Sequence, residues 1–181
     1  MMSIKQSKHL HAVCRCGEVE FETVGDPILS AACHCASCRE AGHQFEALPE
    51  ATPVSDAHGG TQFLLYRKDR VRCVKGEEYL KEYRLTPGSP TRRVLAKCCN
   101  SPMFLEFQNG HWLSMYRDRF SAAKAPSVDM RVMTRDCPAG VELPDDVPNH
   151  PTHSVKFMWR LLAAWAAMGF RAPKITYVSA S

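Results

Sequence analysis

Three cysteines lie within one short stretch of the chain, at Cys33, Cys35 and Cys38, in a C-x-C-x-x-C pattern. Thiolates on one tight turn can reach the Zn–S distance of about 2.3 Å with little loop-closure cost. Three protein ligands are one short of a closed tetrahedral shell, and an open fourth position is typical of catalytic zinc, where water or substrate binds. The stretch therefore predicts a zinc site whose last position is either closed by another residue or left open.

A second set of thiols consists of two pairs far apart in sequence, Cys14 with Cys16 and Cys98 with Cys99. Four thiolates would complete a tetrahedral shell and cross-link the chain, which is a structural role. Adjacent residues of a strand point to opposite faces, so the backbone must kink if Cys98 and Cys99 are to bind one ion. Asn100 suits such a kink, because asparagine accepts a positive φ better than most residues. Cys73 and Cys137 have no neighbouring ligand and are expected to be small buried hydrophobes.

Other polar residues near the three-cysteine stretch allow more than one interpretation. His34 points away from its flanking cysteines if the backbone is extended, so we expect it to support a ligand or to pack in the core. His43 is a candidate fourth ligand, and both histidines are candidate proton donors. Arg39 would either attract a substrate carboxylate or form a surface ion pair.

Composition indicates an ordinary globular protein with one main domain. The chain has 181 residues, of which 45% are hydrophobic and 23% charged. Its net charge is +4 with no block of like charges, which argues against a nucleic-acid partner. Nine cysteines, no apolar leader and no apolar run of membrane-spanning length predict metal chemistry in a reducing cytoplasm, with no membrane partner. The oligomeric state is left open.

Short runs of strand-forming residues separated by turn signals predict a mainly β domain over residues 9–120. Asn109-Gly110 is a strong hairpin signal. Gly42 is expected to permit a turn, and residues 46–60 are expected to form a loop. The predicted strands are 18–22, 28–33, 62–66, 71–74, 79–85, 92–99, 103–107 and 111–116, and the first half of 79–85 could instead be helical.

Residues 121–181 are predicted to be a proline-rich extension that carries a strand at 128–133 and a C-terminal helix. Thr152 or Ser154 would cap a helix that starts near Val155. The helix is expected to dock on the β domain, with a dimer contact or a membrane-surface anchor as the less favoured alternatives. Its apolar face comprises Phe157, Leu161, Ala164, Trp165 and Met168.

These motifs resemble those of the glutathione-dependent formaldehyde-activating enzyme family, which also includes centromere protein V-like proteins. The resemblance covers roughly residues 10–120. It rests on Cys14-Arg15-Cys16-Gly17, Cys33-His34-Cys35-Ala36-Ser37-Cys38-Arg39 and Cys99-Asn100-Ser101-Pro102-Met103-Phe104.

The resemblance implies a β-tent fold with two zinc ions, a glutathione substrate and a carbon–sulfur lyase activity that forms S-hydroxymethylglutathione from formaldehyde. Cys14, Cys16 and Cys99 match the ligands of the structural zinc. The catalytic zinc would be held by Cys33, Cys35 and Cys38. The chain departs from the family pattern at Ala96, where a cysteine is usual, and at Asn100, where glycine is usual, so that Cys98 is the available substitute ligand.

Three functional hypotheses follow. The first is a zinc enzyme that adds a small thiol to an aldehyde, or reverses that step. The second is a non-catalytic zinc module that binds a protein or nucleic acid, and the third is a zinc store or redox sensor. An exchangeable non-protein ligand at the three-cysteine site would favour the first hypothesis, and four protein ligands would favour the other two.

Overall fold

Ten short strands, arranged in two sheets, and two α-helices form the protein in the computed structural model, which describes residues 8–178. The mainly β architecture with a C-terminal helix is as predicted. The predicted 121–181 extension is described as far as residue 178. The strands are β1 (His9–Val13), β2 (Glu20–Val24), β3 (Leu29–Cys33), β4 (Thr61–Arg67), β5 (Val71–Lys75), β6 (Leu80–Tyr83), β7 (Thr91–Ala96), β8 (Ser101–Phe107), β9 (Trp112–Tyr116) and β10 (Met130–Val132).

The larger sheet has the strand order β10-β3-β4-β9-β8-β7-β6. Its neighbours are antiparallel except for β10, which pairs in parallel with β3 through Met130–Val132. Strands β8 and β9 form the predicted hairpin, in which Asn109 adopts a φ of 64°. The smaller sheet is antiparallel, in the order β1-β2-β5.

Both faces of the larger sheet are covered, which explains why β4 is apolar on both of its faces. Leu64 and Tyr66 pack toward the smaller sheet, where they meet Phe21 in one core. Phe63 and Leu65 point to the other face and pack in a second core with both helices. A strand that is buried on both faces does not show the alternation of apolar and polar residues that a half-exposed strand shows.

The first helix, α1 (Ala36–Glu46), corrects the expectation of a turn at Gly42. The Sγ of Cys35 caps the helix by accepting a hydrogen bond from the Cys38 N–H at 3.4 Å. Gly42 lies inside the helix, and a Cβ placed there would lie 2.9 Å from the Oγ of Ser55. The glycine therefore permits a close approach between the helix and the following loop, and does not end the helix.

The second helix, α2 (Val155–Ala167), starts where it was predicted to start. The Ser154 hydroxyl caps it by accepting a hydrogen bond from the Phe157 N–H at 3.1 Å. Phe157 and Leu161 are buried in the second core, so the helix docks on its own β domain. Within residues 8–178 no helix is long and apolar enough to cross a bilayer.

Candidate metal centres and the adjoining cavity

Four thiols meet between the end of β1 and the turn that joins β7 to β8. The Sγ atom of Cys98 lies 3.9 Å from that of Cys14, 3.3 Å from that of Cys16 and 3.9 Å from that of Cys99. Cys14 and Cys16 are 3.6 Å apart. Four sulfurs at about 2.3 Å from one zinc would be separated by about 3.8 Å at tetrahedral angles, so the donor set fits a closed zinc site.

The backbone kink that this cluster needs lies at Asn100, which has a φ of 55°. The Cys99 N–H donates to the carbonyl of Ala96 at 3.2 Å, which turns the chain immediately after β7. Ala96 is fully buried and carries no donor group. The structure thus brings Cys98 into the cluster beside the position where the family pattern has a cysteine.

Local hydrogen bonds prepare this cluster for a cation. The Cys14 Sγ accepts the Val19 N–H at 3.2 Å, and the Sγ of Cys99 lies 3.1 Å from the Ser101 hydroxyl. Burial opposes ionisation of the Cys99 thiol, but hydrogen bonds with Ser101 and Cys16 outweigh it and lower the pKa of Cys99 to about 6. A thiolate already favoured by the chain is ready to bind a metal ion.

The second cluster is formed by the three predicted cysteines. Cys33 ends β3, Cys35 caps α1 and Cys38 lies in the first turn of that helix. Their Sγ atoms lie within 4.8 Å of one another, at the helix end whose dipole favours negative charge. No fourth histidine, cysteine or carboxylate joins them within the described part of the chain.

Hydrogen bonding concentrates negative charge on one thiol of this cluster. Hydrogen bonds with Cys33 and Cys38 lower the pKa of Cys35, and the Ser37 hydroxyl, 3.3 Å from its Sγ, acts in the same direction. The same interaction with Cys35 raises the pKa of Cys33 to about 12. The three thiols therefore oppose one another's ionisation, and a bound cation would favour the thiolate form of all three.

A cavity of about 470 Å³ opens beside the three thiols. Its floor is the helix-covered face of the larger sheet, and α2 forms part of its wall. None of its wall residues is Asp, Glu, Lys or Arg. The wall consists of Ala31, Cys33, Cys35, Ser37, Cys38, Phe63, Leu65, Thr91, Leu105, Phe107, Trp112, Ser114, Val132, Met133, His153, Phe157, Met158 and Leu161.

One histidine, His153, lines the cavity. It lies just before α2 and was not selected from the sequence. Burial lowers the pKa of His153, although the nearby Cys35 acts in the opposite direction. His43, the predicted fourth ligand or proton donor, is exposed on α1 and belongs to neither thiol cluster. The only sequence signal for His153 was its position immediately before the helix cap Ser154.

His34 is fully buried, consistent with the expected core role. Its ring lies so close to Gly60 that a Cβ at that position would lie 2.7 Å from the His34 Nε2. Burial lowers the pKa of His34, and Asp56 opposes the shift. His34 is therefore packed behind the cluster and does not line the cavity.

Arg39 lies on α1 but outside the cavity wall. Its Nε and Nη1 atoms are buried and have no hydrogen-bond partner among the described residues. No ion pair between Arg39 and a carboxylate is present among residues 8–178, so the surface ion pair is not formed there. The contact with a substrate carboxylate stays a prediction.

Two buried residues near the three-cysteine site, Arg93 and Tyr116, were not selected from the sequence. Arg93 is almost fully buried, and its Nη2 donates to the Ser37 carbonyl at 3.0 Å. Burial raises the pKa of Tyr116, while the charge of Arg93 opposes that rise. A sequence signal existed, because Arg93 occupies a strand position on the same face as buried Leu95.

Cys73 and Cys137 lie outside both clusters, as predicted. Each is half-buried, and Cys73 packs against the core between the sheets. Neither is fully buried, so the expectation of a buried position is wrong for both.

The family model described as glutathione-dependent formaldehyde-activating enzyme matches residues 9–117, a span that contains both thiol clusters and excludes α2. A search of curated proteins found no match. A crystal structure of a Rhodobacter sphaeroides protein is 16% identical, covers 77% of this chain and 98% of its own, and superposes with a TM-score of 0.44.

Proposed function

Because the chain belongs to the glutathione-dependent formaldehyde-activating enzyme family, we propose that it is a zinc-dependent carbon–sulfur lyase-type enzyme. It would join a small thiol such as glutathione to an aldehyde such as formaldehyde, or reverse that step. The observation that supports this proposal most directly is the three-thiol cluster at the mouth of a cavity, with no fourth ligand among the described residues.

The two thiol clusters provide suitable donor sets for two zinc ions. Cys14, Cys16, Cys98 and Cys99 would hold a structural ion, and Cys33, Cys35 and Cys38 would hold the second. When bound at the second site, zinc would supply a lowered thiol pKa and a polarised carbonyl.

The residues of the chain would orient the reactants and carry the proton. In the addition, the thiol S–H loses its proton, the C–S bond forms, and the carbonyl oxygen takes up a proton to become a hydroxyl. His153 lines the cavity with an exposed side chain, and partial desolvation lowers the pKa of its imidazole. A neutral imidazole at this place would accept the thiol proton. The hydroxyls of Ser37, Thr91 and Ser114 and the indole N–H of Trp112 are further donors carried by wall residues that an aldehyde oxygen could accept from.

A reducing cytoplasm is the compartment that we propose for this chemistry. All nine cysteines of the chain are free thiols, and metal-binding thiolates survive where disulfides do not form.

A non-catalytic zinc module that binds another protein is the second candidate. The observation that favours it is the outer face of α2, where Val155, Trp159 and Leu162 are exposed. Large exposed apolar patches commonly mark interaction surfaces.

The first experiment counts zinc per chain in protein purified without chelator. Wild type is compared with Cys35→Ser and with the control Cys73→Ser. We expect two zinc ions in wild type and in the control, and one in Cys35→Ser with an unchanged circular dichroism spectrum. One zinc ion in all three proteins would mean that the middle cluster does not hold metal, and the second candidate would then lead.

The second experiment tests activity. Magnetisation-exchange NMR with glutathione and formaldehyde measures how fast the adduct forms and breaks above the uncatalysed rate. We expect exchange to be accelerated by wild type and not by Cys35→Ser. Equal exchange rates in the presence and absence of wild-type protein would overturn the enzyme proposal.

A further inference from the structure

The cavity beside the three thiols is apolar along most of its wall. Its polar side chains are the three cysteines, the hydroxyls of Ser37, Thr91 and Ser114, the imidazole of His153, and Trp112, whose large ring carries one N–H donor. The remaining wall is aliphatic or aromatic, and it includes Phe63 and Phe107. Its volume of about 470 Å³ falls within the range of about 300–1,000 Å³ that holds small organic ligands.

This lining is unsuited to the polar parts of glutathione. That tripeptide carries carboxylates and an ammonium group, and buried charges need a paired or hydrogen-bonded partner. The wall contains no lysine, arginine, aspartate or glutamate. Formaldehyde, at the other extreme, is far too small to fill such a space.

The helix α2 gives the cavity much of its apolar character. Phe157, Met158 and Leu161 contribute to the wall, although the helix lies outside the residues matched by the family model. Its position is fixed by the Nε2 of His111, which donates to the Leu161 carbonyl at 2.9 Å. Near the middle of the helix, Arg160 forms an ion pair of 3.1 Å with Asp129.

We propose that this cavity binds the apolar substituent of the aldehyde, an aliphatic chain or an aryl group, with the carbonyl carbon at the thiol end. The inference rests on the proposed function and names its substrate class. The S–H proton of the incoming thiol ends on the carbonyl oxygen as the C–S bond forms, and the substituent in the cavity is unchanged. Nothing is oxidised or reduced in this step.

Unreactive alcohols test the cavity without relying on turnover. Straight-chain alcohols from methanol to 1-octanol are titrated into the zinc-loaded full chain, and binding is followed by calorimetry and by the fluorescence of the protein's tryptophans, which include Trp112 in the wall. Each added methylene that enters an apolar cavity should tighten binding by a factor of about four, which corresponds to about 0.8 kcal/mol. Binding that does not change with chain length would overturn the proposal.

Two adjacent residues of α2 provide matched variants. Both side chains are exposed, but Met158 also lines the cavity and Trp159 does not. We expect Met158→Lys to weaken 1-octanol binding at least tenfold and Trp159→Lys to leave it unchanged. Equal effects of the two substitutions would place the bound alcohol outside the cavity and overturn the proposal.

The exchange assay separates this inference from the proposed function. Accelerated adduct exchange with formaldehyde, together with binding that ignores chain length, would leave the enzyme standing and remove the apolar substrate class. Chain-length-dependent binding without any accelerated exchange, for formaldehyde or for octanal, would retain the apolar site and remove the lyase chemistry.

Discussion

The guanidinium of Arg93 donates a hydrogen bond of 3.0 Å from Nη2 to the carbonyl oxygen of Ser37, between Cys35 and Cys38. The contact joins strand β7 to the first turn of α1 and places a buried positive charge beneath three thiols. A cation held in this way favours thiolates nearby and fixes the loop that carries two of them.

Replacing Arg93 by Met should therefore weaken metal binding at the three-cysteine cluster. Loss of a group that orients metal ligands typically costs about 10–100-fold in affinity, and we expect a loss in that range. Competition with a chromophoric chelator measures the affinity of the weaker of the two sites. Arg72→Met is the control, because Arg72 is exposed and pairs with Glu22 on the smaller sheet. Equal affinities in the two variants would show that Arg93 only fills space.

Cys98→Ser should destabilise the protein through the four-thiol cluster. Structural zinc contributes folding free energy directly, so loss of one ligand should lower the thermal midpoint by several degrees or more. Differential scanning calorimetry with and without excess zinc measures the change. Cys73→Ser removes a half-buried thiol outside both clusters and should have a much smaller effect. A midpoint unchanged in Cys98→Ser would mean that three cysteines are enough.

Lys68→Met should be strongly destabilising. The Nζ of Lys68 lies 2.5 Å from Glu106 Oε1 in a nearly dry environment, with side-chain exposures of 3% and 8%. Breaking one side of a buried ion pair costs about 3–5 kcal/mol when the remaining charge is left unpaired. Glu106 keeps a second ion pair, in which Arg92 Nε lies 2.6 Å from its Oε2, so we expect a loss at the lower end of that range. Urea denaturation measures the loss.

Two further variants identify the cause of that loss. The double variant Lys68→Met/Glu106→Leu removes both charges and should recover part of the stability, because Arg92 keeps its ion pair of 2.9 Å with Glu82. Lys8→Met disrupts an exposed pair with Asp26 and should change stability by less than about 1 kcal/mol. If the double variant is no more stable than Lys68→Met, the lysine stabilises the fold by packing and not by charge.

Acid should weaken the docking of α2 through His111. Burial lowers the pKa of His111, the hydrogen bond to Leu161 opposes that shift, and the positive charges of Lys68 and Arg67 reinforce it. The folded state therefore binds a proton less readily than the unfolded chain, whose histidines titrate near about pH 6.5. The stability contributed by neutral His111 is present above that pH and is lost as the pH falls below it toward the folded pKa.

The measurement is the urea midpoint between pH 7.5 and pH 5, in excess zinc. The midpoint should fall less steeply in His111→Gln than in wild type, since glutamine can donate to Leu161 but does not titrate in this range. Burial also lowers the pKa of His34 and His153, so part of the slope should remain in the variant. Identical slopes would show that His111 does not contribute to the pH dependence.

The residues that carry their own local signal were predictable from sequence. The strand runs, the Asn109 turn, the Ser154 cap and the grouping of thiols all depend on neighbours within a few positions. The helix α1 had such a signal too, because Cys38, Ala41, Gly42 and Phe45 recur at helical spacing and are buried. Gly42 was predicted to permit a turn. The residue that requires a glycine at this position is Ser55, which packs against it but lies 13 positions away in sequence.

The cavity could not be predicted in the same way. Its wall brings together strands β3, β4, β8 and β9 with helix α2, and no local pattern encodes that meeting. The pairing of Lys68 with Glu106 and the support of Ser37 by Arg93 are likewise set by strand register across the larger sheet. Lysine, glutamate, arginine and serine occur throughout the chain. These four residues become candidates for a role only because the fold brings each one next to its partner.

The parallel pairing of β10 with β3 affects when the three-cysteine site can form during translation. Cys33 is translated early, but the sheet edge of its strand stays unpaired until Val132 has been added. At a synthesis rate of about 5–20 residues per second, that delay lasts about 5 to 20 seconds. During this interval Cys33 lies on an open sheet edge, and we expect the three-cysteine site to reach its final shape only after the other cluster has received its last ligand at Cys99.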